Sequence, residues 1–323
     1  MKKTIGAILC TLVFRLALVA DGLTPQATHD QNRDREVAVT FDDLPATHGG
    51  LSQMRSITTR LLGAITSNKI PAVGFVNEGK LHIGGEEVER TALLRMWLDA
   101  GLELGNHTFS HINMDQVSLA AYEEDVIRGE PITRRLLSDK GLKLRYFRHP
   151  MLHTGPTLEY KKALEAFLAL RGYTVAPVTI DNNDFMFALV YDNAKARGDK
   201  ATMKRVADAY LPYMEEIFAF FEKLSVETLG YEVKQTLLLH ANEINADLFG
   251  ALVGMMKSRG YKFISLQEAL TDKAYGLPDV PNTLGVSWIH RWRQAKGLEM
   301  TPEPQEPVFL RSLYNEAMKR LNR

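Results

Sequence analysis

Several ionisable side chains in this sequence directly follow short apolar runs of the length and composition of β-strands. Five runs end in this way, and the residues that follow them are Asp42 and Asp43, His107 and His111, Arg148 and His149, Asp181 and Asp184, and His240. Parallel strands of a barrel present their carboxyl ends on one face, and active sites of such barrels are built there. The spacing therefore predicts one site that draws on five strands.

Two of these residues have a spacing that suits a metal ion. His107 and His111 are four residues apart, so a helical turn over residues 106–113 would place both imidazoles on one side. Taken alone, the spacing is more typical of a solvent-exposed helix face. Two imidazoles and one carboxylate from elsewhere would leave a coordination position open for water and substrate, as in catalytic zinc sites.

Asp42 and Asp43 can supply that carboxylate. Adjacent carboxylates repel one another, and a nearby cation or basic residue would offset the cost. One of them can ligate the metal while its neighbour accepts a proton from water. A turn or helix-capping role before Leu44 and Pro45 is the alternative interpretation.

The elements that must position these residues alternate along the chain, as in a parallel sheet or barrel. Strands are predicted at 37–41, 72–77, 102–106, 144–148, 174–180, 236–240 and 261–265. Helices are predicted at 52–67, 86–100, 120–138, 158–171 and 246–259.

We therefore expect one α/β catalytic domain over residues 36–271. A charged, helical stretch at about 192–230 is expected to be an insertion between two core strands. Residues 272–323 are expected to form a C-terminal extension that packs on the domain. Its Trp288, His290 and Trp292 favour packing, with a carbohydrate platform as the alternative.

The N-terminus has the pattern of a secretory signal peptide. Lys2 and Lys3 precede the apolar stretch 5–20, which ends in a small residue. Arg15 interrupts that stretch, which leaves an uncleaved membrane anchor as the alternative, although the uninterrupted run is shorter than the roughly 20 residues of a membrane span. We predict a signal peptide or anchor at 1–20, a linker at 21–35, and export to the periplasm or the extracellular space.

Composition narrows the possible partners. The chain has 39 basic and 39 acidic residues and no basic stripe, which argues against a nucleic-acid partner. The only cysteine, Cys10, lies in the segment that cleavage would remove. A mature chain without thiols suits an oxidising compartment and excludes disulfides and thiolate metal ligands. The sequence gives no indication of the oligomeric state.

Five segments occur in the order of the five motifs of the polysaccharide deacetylase family, also called the NodB homology domain or carbohydrate esterase family 4. They read Thr40-Phe41-Asp42-Asp43, His107-Thr108-Phe109-Ser110-His111, Arg148-His149-Pro150, Asp181-Asn182-Asn183-Asp184-Phe185 and Leu238-Leu239-His240. The chain resembles this family over residues 37–270. The first two motifs match closely, and their joint occurrence in this order is specific.

The resemblance implies a distorted (β/α) barrel of the polysaccharide deacetylase type. It also implies a divalent metal ion, held by Asp43, His107 and His111. This ligand set fits zinc, and cobalt, nickel, manganese and iron(II) are chemically admissible.

The same resemblance implies the catalytic roles of four residues. Asp42 would be the general base that takes a proton from the attacking water, and Arg148 would orient it. His240 would protonate the departing amine, and Asp184 would keep His240 cationic.

The walls of the substrate pocket are expected to include Pro150, His153, Phe185 and Leu238, with Leu238 against the acetyl methyl. Three motifs depart from the family here, the fifth because Ala241 and Asn242 follow His240 where Asp is usual. The third is two residues longer before Gly155 than the common form, and the fourth ends in Phe185 where tryptophan is usual. The surroundings of the sugar therefore differ, while the metal and base positions do not.

These observations together predict a metal-dependent hydrolase that removes N-acetyl groups from an N-acetylated glycan, such as peptidoglycan, chitin-like or exopolysaccharide material. One alternative is an O-acetyl esterase, or an amidohydrolase of the same fold that acts on a small or lipid-linked substrate. Another is a catalytically silent glycan-binding protein.

Overall fold

A computed structural model describes residues 34–321 of the chain. The signal peptide or anchor predicted at 1–20 lies outside these residues, as does the linker predicted at 21–35 except for its last two positions. Within the described residues, no helix is both long and apolar enough to cross a membrane.

The part of the chain described by the structure folds around one sheet of seven parallel strands. In chain order they are β1 (Arg35–Leu44), β2 (Val73–Val76), β3 (Glu103–Asn106), β4 (Tyr146–Phe147), β5 (Thr174–Val175), β6 (Gln235–His240) and β7 (Tyr261–Phe263). The strand order is β5-β4-β3-β2-β1-β6, and β7 pairs with the first residues of β1. β1 is buried from Val37 to its end, as expected of a central strand covered on both faces.

The segment 174–180, which begins with β5, closes this sheet into a barrel. At its start, the Thr174 N–H donates to the Arg145 carbonyl beside β4 (2.7 Å). At its end, the Ile180 N–H donates to the Thr236 carbonyl of β6 (3.0 Å). One extended segment therefore pairs with both free edges of the sheet, which gives the predicted distorted (β/α) barrel. The strand predicted at 174–180 is regular only in its first two residues because it changes partner midway.

Helices surround the barrel. They are α1 (Leu51–Ser67), α2 (Glu87–Asp99), α3 (Leu119–Arg128), α4 (Pro131–Ser138), α5 (Leu158–Leu170), α6 (Asp184–Ala196), α7 (Lys200–Leu229), α8 (Glu243–Ser258), α9 (Leu266–Ala269), α10 (Trp288–Ala295) and α11 (Val308–Leu321). The single helix predicted at 120–138 is wrong, because the structure has α3 and α4 there. Pro131 cannot donate a backbone hydrogen bond to the preceding turn, so it begins a new helix.

Residues near the predicted insertion form two helices, α6 and α7. α6 begins at Asp184, eight residues before the predicted start, and α7 ends at Leu229, where the next residue, Gly230, caps the helix in a left-handed conformation (φ 82°). In the C-terminal extension, Trp288 and Trp292 are buried, which leaves little ring surface to stack on a sugar.

An aromatic cluster joins β1 to two helices behind the carboxyl ends of the strands. The Phe41 ring packs edge-on against Trp97 of α2 (centroids 5.6 Å apart) and against Phe249 of α8 (5.2 Å). All three side chains are fully buried, so this cluster fixes the strand that carries the two adjacent aspartates.

We expect Phe249→Ala to lower the free energy of unfolding by about 3–5 kcal/mol, because it removes a buried ring and leaves a cavity. Urea unfolding measures the change. Leu170→Ala, at a position 89% exposed on α5, is the control and should change stability by less than about 0.5 kcal/mol. Equal effects of the two substitutions would show that this cluster does not stabilise the barrel.

Candidate metal and catalytic site

The two aspartates at the end of β1 face the same cavity although they are consecutive. In a regular strand, consecutive side chains point to opposite faces. The pairing of β1 with β2 shifts register between Phe41 and Leu44, and Asp43 has a left-handed backbone (φ 72°). This irregularity brings both buried carboxylates to one side. A left-handed aspartate is uncommon, and such conformations cluster at functional sites.

His107 and His111 come together without a helix. The helical turn considered for residues 106–113 is wrong, because Thr108 and His111 are left-handed (φ 63° and 55°) and the segment is a loop. Asp125 of α3 holds this loop, since its carboxylate accepts hydrogen bonds from the Ser110 N–H (3.0 Å) and hydroxyl (2.9 Å). The two imidazole centroids lie 4.9 Å apart.

Asp43, His107 and His111 form a set that fits a divalent cation. One ligand atom from each lies within 4.8 Å of the others. His107 Nδ1 lies 2.9 Å from the Arg148 carbonyl, which can only accept, so this nitrogen carries the proton and Nε2 is left for a metal. Burial lowers the pKa of His107 and His111, which favours the neutral imidazoles that bind metals. Among the described residues none donates a hydrogen bond to Asp43 Oδ1.

Lys80, which the sequence analysis did not predict as a site residue, also lies close to these three candidate metal ligands. Lys80 Nζ lies 3.3 Å from Asp43 Oδ1 and donates to the Asp43 carbonyl (3.2 Å). Burial alone would raise the pKa of Asp43, but nearby positive charge, that of Lys80 above all, outweighs burial and lowers the pKa. Lys80 lies in a short 3₁₀ helix after β2, away from the strand ends that guided the prediction.

Asp42 and Arg148 lie side by side. Arg148 is fully buried, and its Nη1 lies 3.6 Å from Asp42 Oδ2. Its Nη2 donates to the Thr40 hydroxyl (2.9 Å), and its guanidinium covers the Phe75 ring (4.7 Å to the centroid). Burial raises the pKa of Asp42 to about 6 against the opposing charge of Arg148. Asp42 Oδ1 accepts no hydrogen bond from the described residues, so it is available to a ligand.

His240 and Asp184 form a second pair on the same cavity. Asp184 Oδ1 lies 2.6 Å from His240 Nδ1, and Asp184 Oδ2 accepts the His240 backbone N–H (2.9 Å) and the Asn245 side-chain amide (2.6 Å). Burial would lower the pKa of His240, but the Asp184 carboxylate outweighs it and raises the pKa to about 9. His240 is therefore cationic at neutral pH.

The cavity has a volume of about 530 Å³, and most of the predicted site residues line it. Those residues are Asp42, Asp43, His107, His111, His153, Phe185, Leu238 and His240. Arg148 and Asp184 do not line the cavity and lie behind Asp42 and His240. His153 Nδ1 is 2.5 Å from Asp115 Oδ2.

Pro150 is the one predicted wall residue that does not line the cavity. It is buried, and Met151 lines the cavity in its place. The physical reason is a left-handed turn at Met151 and Leu152 (φ 55° and 56°), which redirects the lengthened third motif.

Sequence reasoning missed several wall residues. Asn182 and Asn183 belong to the fourth motif, so the sequence could have predicted them as wall residues. Leu284 and Gly285 come from the C-terminal extension, and no local pattern in the sequence connects them with the barrel.

Part of the chain matches a known protein family. Residues 29–172 match the family described as polysaccharide deacetylase. The resemblance to this family is confirmed. The match ends before Asp184 and His240, whose position beside Asp42 and the candidate metal ligands comes from the structure.

Three of the solved structures that match this chain are as follows. The chitin deacetylase from the fungal pathogen Colletotrichum lindemuthianum is 21% identical, with a TM-score of 0.50 over 73% of this chain and 87% of that chain. A polysaccharide deacetylase from Bacillus cereus is 18% identical, with a TM-score of 0.49 over 72% and 91%. A carbohydrate esterase family 4 pseudoenzyme from Bacillus anthracis is 16% identical, with a TM-score of 0.44 over 73% and 66%. The similarity to the chitin deacetylase shows a shared fold and nothing more.

We expect the purified protein to bind one divalent cation per chain, and His107→Ala to lose it. Metal analysis after dialysis measures the stoichiometry. Cation at about 100 times its Kd should stabilise the wild type by about 2.7 kcal/mol and leave His107→Ala unchanged. His82→Ala, outside the ligand set, is the control. Full metal content in His107→Ala would contradict the assignment.

Proposed function

We propose that this protein is an exported, metal-dependent deacetylase that removes N-acetyl groups from a glycan. One observation carries the proposal: a carboxylate and a cationic histidine share a cavity with a ligand set for a divalent metal. Hydrolysis of an amide needs a base for the attacking water and an acid for the leaving nitrogen. Asp42 and His240 have the ionisation states and the position for these two tasks.

The base side of the reaction depends on Asp42. Asp43, His107 and His111 would hold a divalent cation, and the chemistry it would supply there is Lewis-acid polarisation of the acyl carbonyl and acidification of a water molecule. Asp42 takes the proton of the attacking water through its unbonded Oδ1. The buried guanidinium of Arg148 favours the carboxylate form of Asp42 and limits its movement.

The acid side depends on His240. An amine leaves only after its nitrogen gains a proton, and His240 donates that proton from its Nε2 because Nδ1 is engaged with Asp184. Leu238 lies on the cavity wall two residues before His240 in β6. There it contacts the methyl of the acyl group. An amine must be protonated before it leaves, so a histidine that is protonated at neutral pH is needed more for an amide than for an ester. The protonated His240 therefore favours N-deacetylation over O-deacetylation.

Export is the remaining part of the proposal. It is supported by the basic start and apolar stretch of residues 1–20 and by the position of Cys10 within it. A glycan substrate outside the cytoplasm agrees with that destination.

The purified, metal-loaded protein should release acetate from N-acetylated chitooligosaccharides and not from acetylated xylan. Asp42→Asn should keep its metal and lose about 10²–10⁴-fold in kcat, because it removes the base and spares the ligands. Acetate assays and metal analysis on the same samples measure both. Release from xylan alone would replace the proposal with an O-acetyl esterase, and full activity in Asp42→Asn would remove the assigned base.

The activity should also fall as pH rises through the pKa of His240, because the reaction uses its protonated form. Asp184→Asn removes the carboxylate that raises this pKa to about 9, so the alkaline limb of kcat/KM should move to lower pH. A pH profile from 6 to 10 measures the limb, and thermal unfolding reports whether the variant is folded. An unmoved alkaline limb in a folded variant would exclude His240 as the acid.

A further inference from the structure

The cavity has one wall that does not come from the barrel. A turn in the C-terminal extension, residues 282–285, contributes Leu284 and Gly285 to the lining; we call it the end turn. The buried Asn282 side chain holds it, since its Oδ1 accepts the N–H groups of Leu284 (2.8 Å) and Gly285 (3.1 Å). The Asn282 carbonyl accepts the Thr154 N–H (2.8 Å). The end turn is thus bonded to the loop that follows β4.

Residues directly after the end turn fix it to the barrel. The Trp288 N–H donates to the Val178 carbonyl (2.7 Å), and the Ser287 hydroxyl donates to the Thr179 carbonyl (2.8 Å). Arg291 is fully buried, and its guanidinium donates to the Leu152 carbonyl and to the Thr154 hydroxyl (3.2 Å) in the same loop. The wall is therefore an integral part of the site and not a loose tail.

The end turn and the β4 loop touch backbone to backbone. A Cβ atom at Gly285 would lie 2.5 Å from the Met151 carbonyl oxygen, closer than real Cβ contacts, and Gly285 is left-handed (φ 67°). Only glycine allows this approach. With the hydrogen bond between Thr154 and Asn282, this close approach joins the end turn to the β4 loop on that side of the cavity.

The mouth of the cavity is apolar, in contrast to its charged floor. Leu284, Met151 and Phe185 line it, and they are 72%, 41% and 39% exposed. The extension also supports the wall at Phe185, because Tyr314 of α11 packs edge-on against that ring (centroids 6.0 Å apart). Apolar side chains around a polar floor suit a sugar, whose ring faces are apolar and whose substituents are polar.

We propose that the end turn makes this protein selective for the acylated sugar at the end of a glycan chain. The inference rests on the proposed deacetylase function and specifies its substrate. A polymer that crosses the strand ends needs a groove open on both sides, and the end turn with Met151 blocks the β4 side. The terminal sugar enters with its acyl group toward Asp42 and His240, and the rest of the chain leaves on the side away from β4.

The test uses a fully N-acetylated chitotetraose and mass-spectrometric sequencing of the singly deacetylated product. Wild-type protein should deacetylate a terminal sugar at least about tenfold faster than either internal sugar, since a misfit in a shaped pocket costs at least that factor. Equal rates at terminal and internal sugars would overturn the inference while leaving the deacetylase function intact. Absence of acetate release from every glycan would instead overturn the proposed function.

Two substitutions examine the wall itself. Leu284→Ala shortens it, and Gly285→Ala forces the end turn away from Met151; each should reduce the terminal preference about tenfold. Gly297→Ala is the matched control, because Gly297 is also left-handed (φ 70°) in the same extension but has no atom within 4 Å of an added Cβ. It should keep the wild-type preference.

Metal content and thermal unfolding of each variant are measured alongside. A loss of terminal preference with full metal content places the selectivity in the end turn. A preference unchanged in both folded Leu284→Ala and folded Gly285→Ala would show that the end turn does not select the chain end, and the inference would be wrong.

Discussion

The site depends on one fully buried arginine, Arg148, which contacts both the candidate metal ligand His107 and the candidate base Asp42. Its backbone carbonyl fixes the tautomer of His107 and so prepares that imidazole for a metal. Its guanidinium lies beside Asp42 and is itself held by Thr40 and the face of Phe75. A buried cation without partners is costly, and an isolated buried carboxylate is equally so. The two charges are therefore tolerated only together, and β1 and β4 must keep their relative position.

The same reasoning applies across the cavity floor, where charges of both signs are packed away from water. Lys80 faces Asp43, Arg148 faces Asp42, and Asp184 faces His240. Each pairing moves a pKa in the direction its proposed task requires. A divalent cation would add positive charge to a group that already holds two adjacent carboxylates, which would reduce the repulsion between them.

Much of this arrangement was accessible from the sequence because it follows from periodicity. Strands of a parallel barrel end on one face, so Asp42, His107, Arg148, Asp184 and His240 could be placed together before any coordinates were known. The family resemblance supplied their roles.

The remainder depends on local backbone conformation or on distant contacts, and sequence patterns report neither. The left-handed residues that turn the histidine loop and replace Pro150 by Met151 have no reliable signal in single sequences. Lys80 lies 37 residues from its partner Asp43 in the chain, and Leu284 lies more than 130 residues from Met151. Such neighbours become evident only once the barrel is assembled.

The pairing of β1 has a consequence for how the site forms. β1 carries Asp42 and Asp43, and it pairs on one side with β2, which follows closely, and on the other with β6. The hydrogen bond from the Thr40 hydroxyl to the Leu237 carbonyl spans 197 residues of sequence. Contacts of such long range form late, because a large loop must close before they contribute stability. A nascent chain that has reached His111 therefore contains every candidate metal ligand. However, β1, which carries Asp42 and Asp43, gains its second neighbouring strand only after β6 has been synthesised.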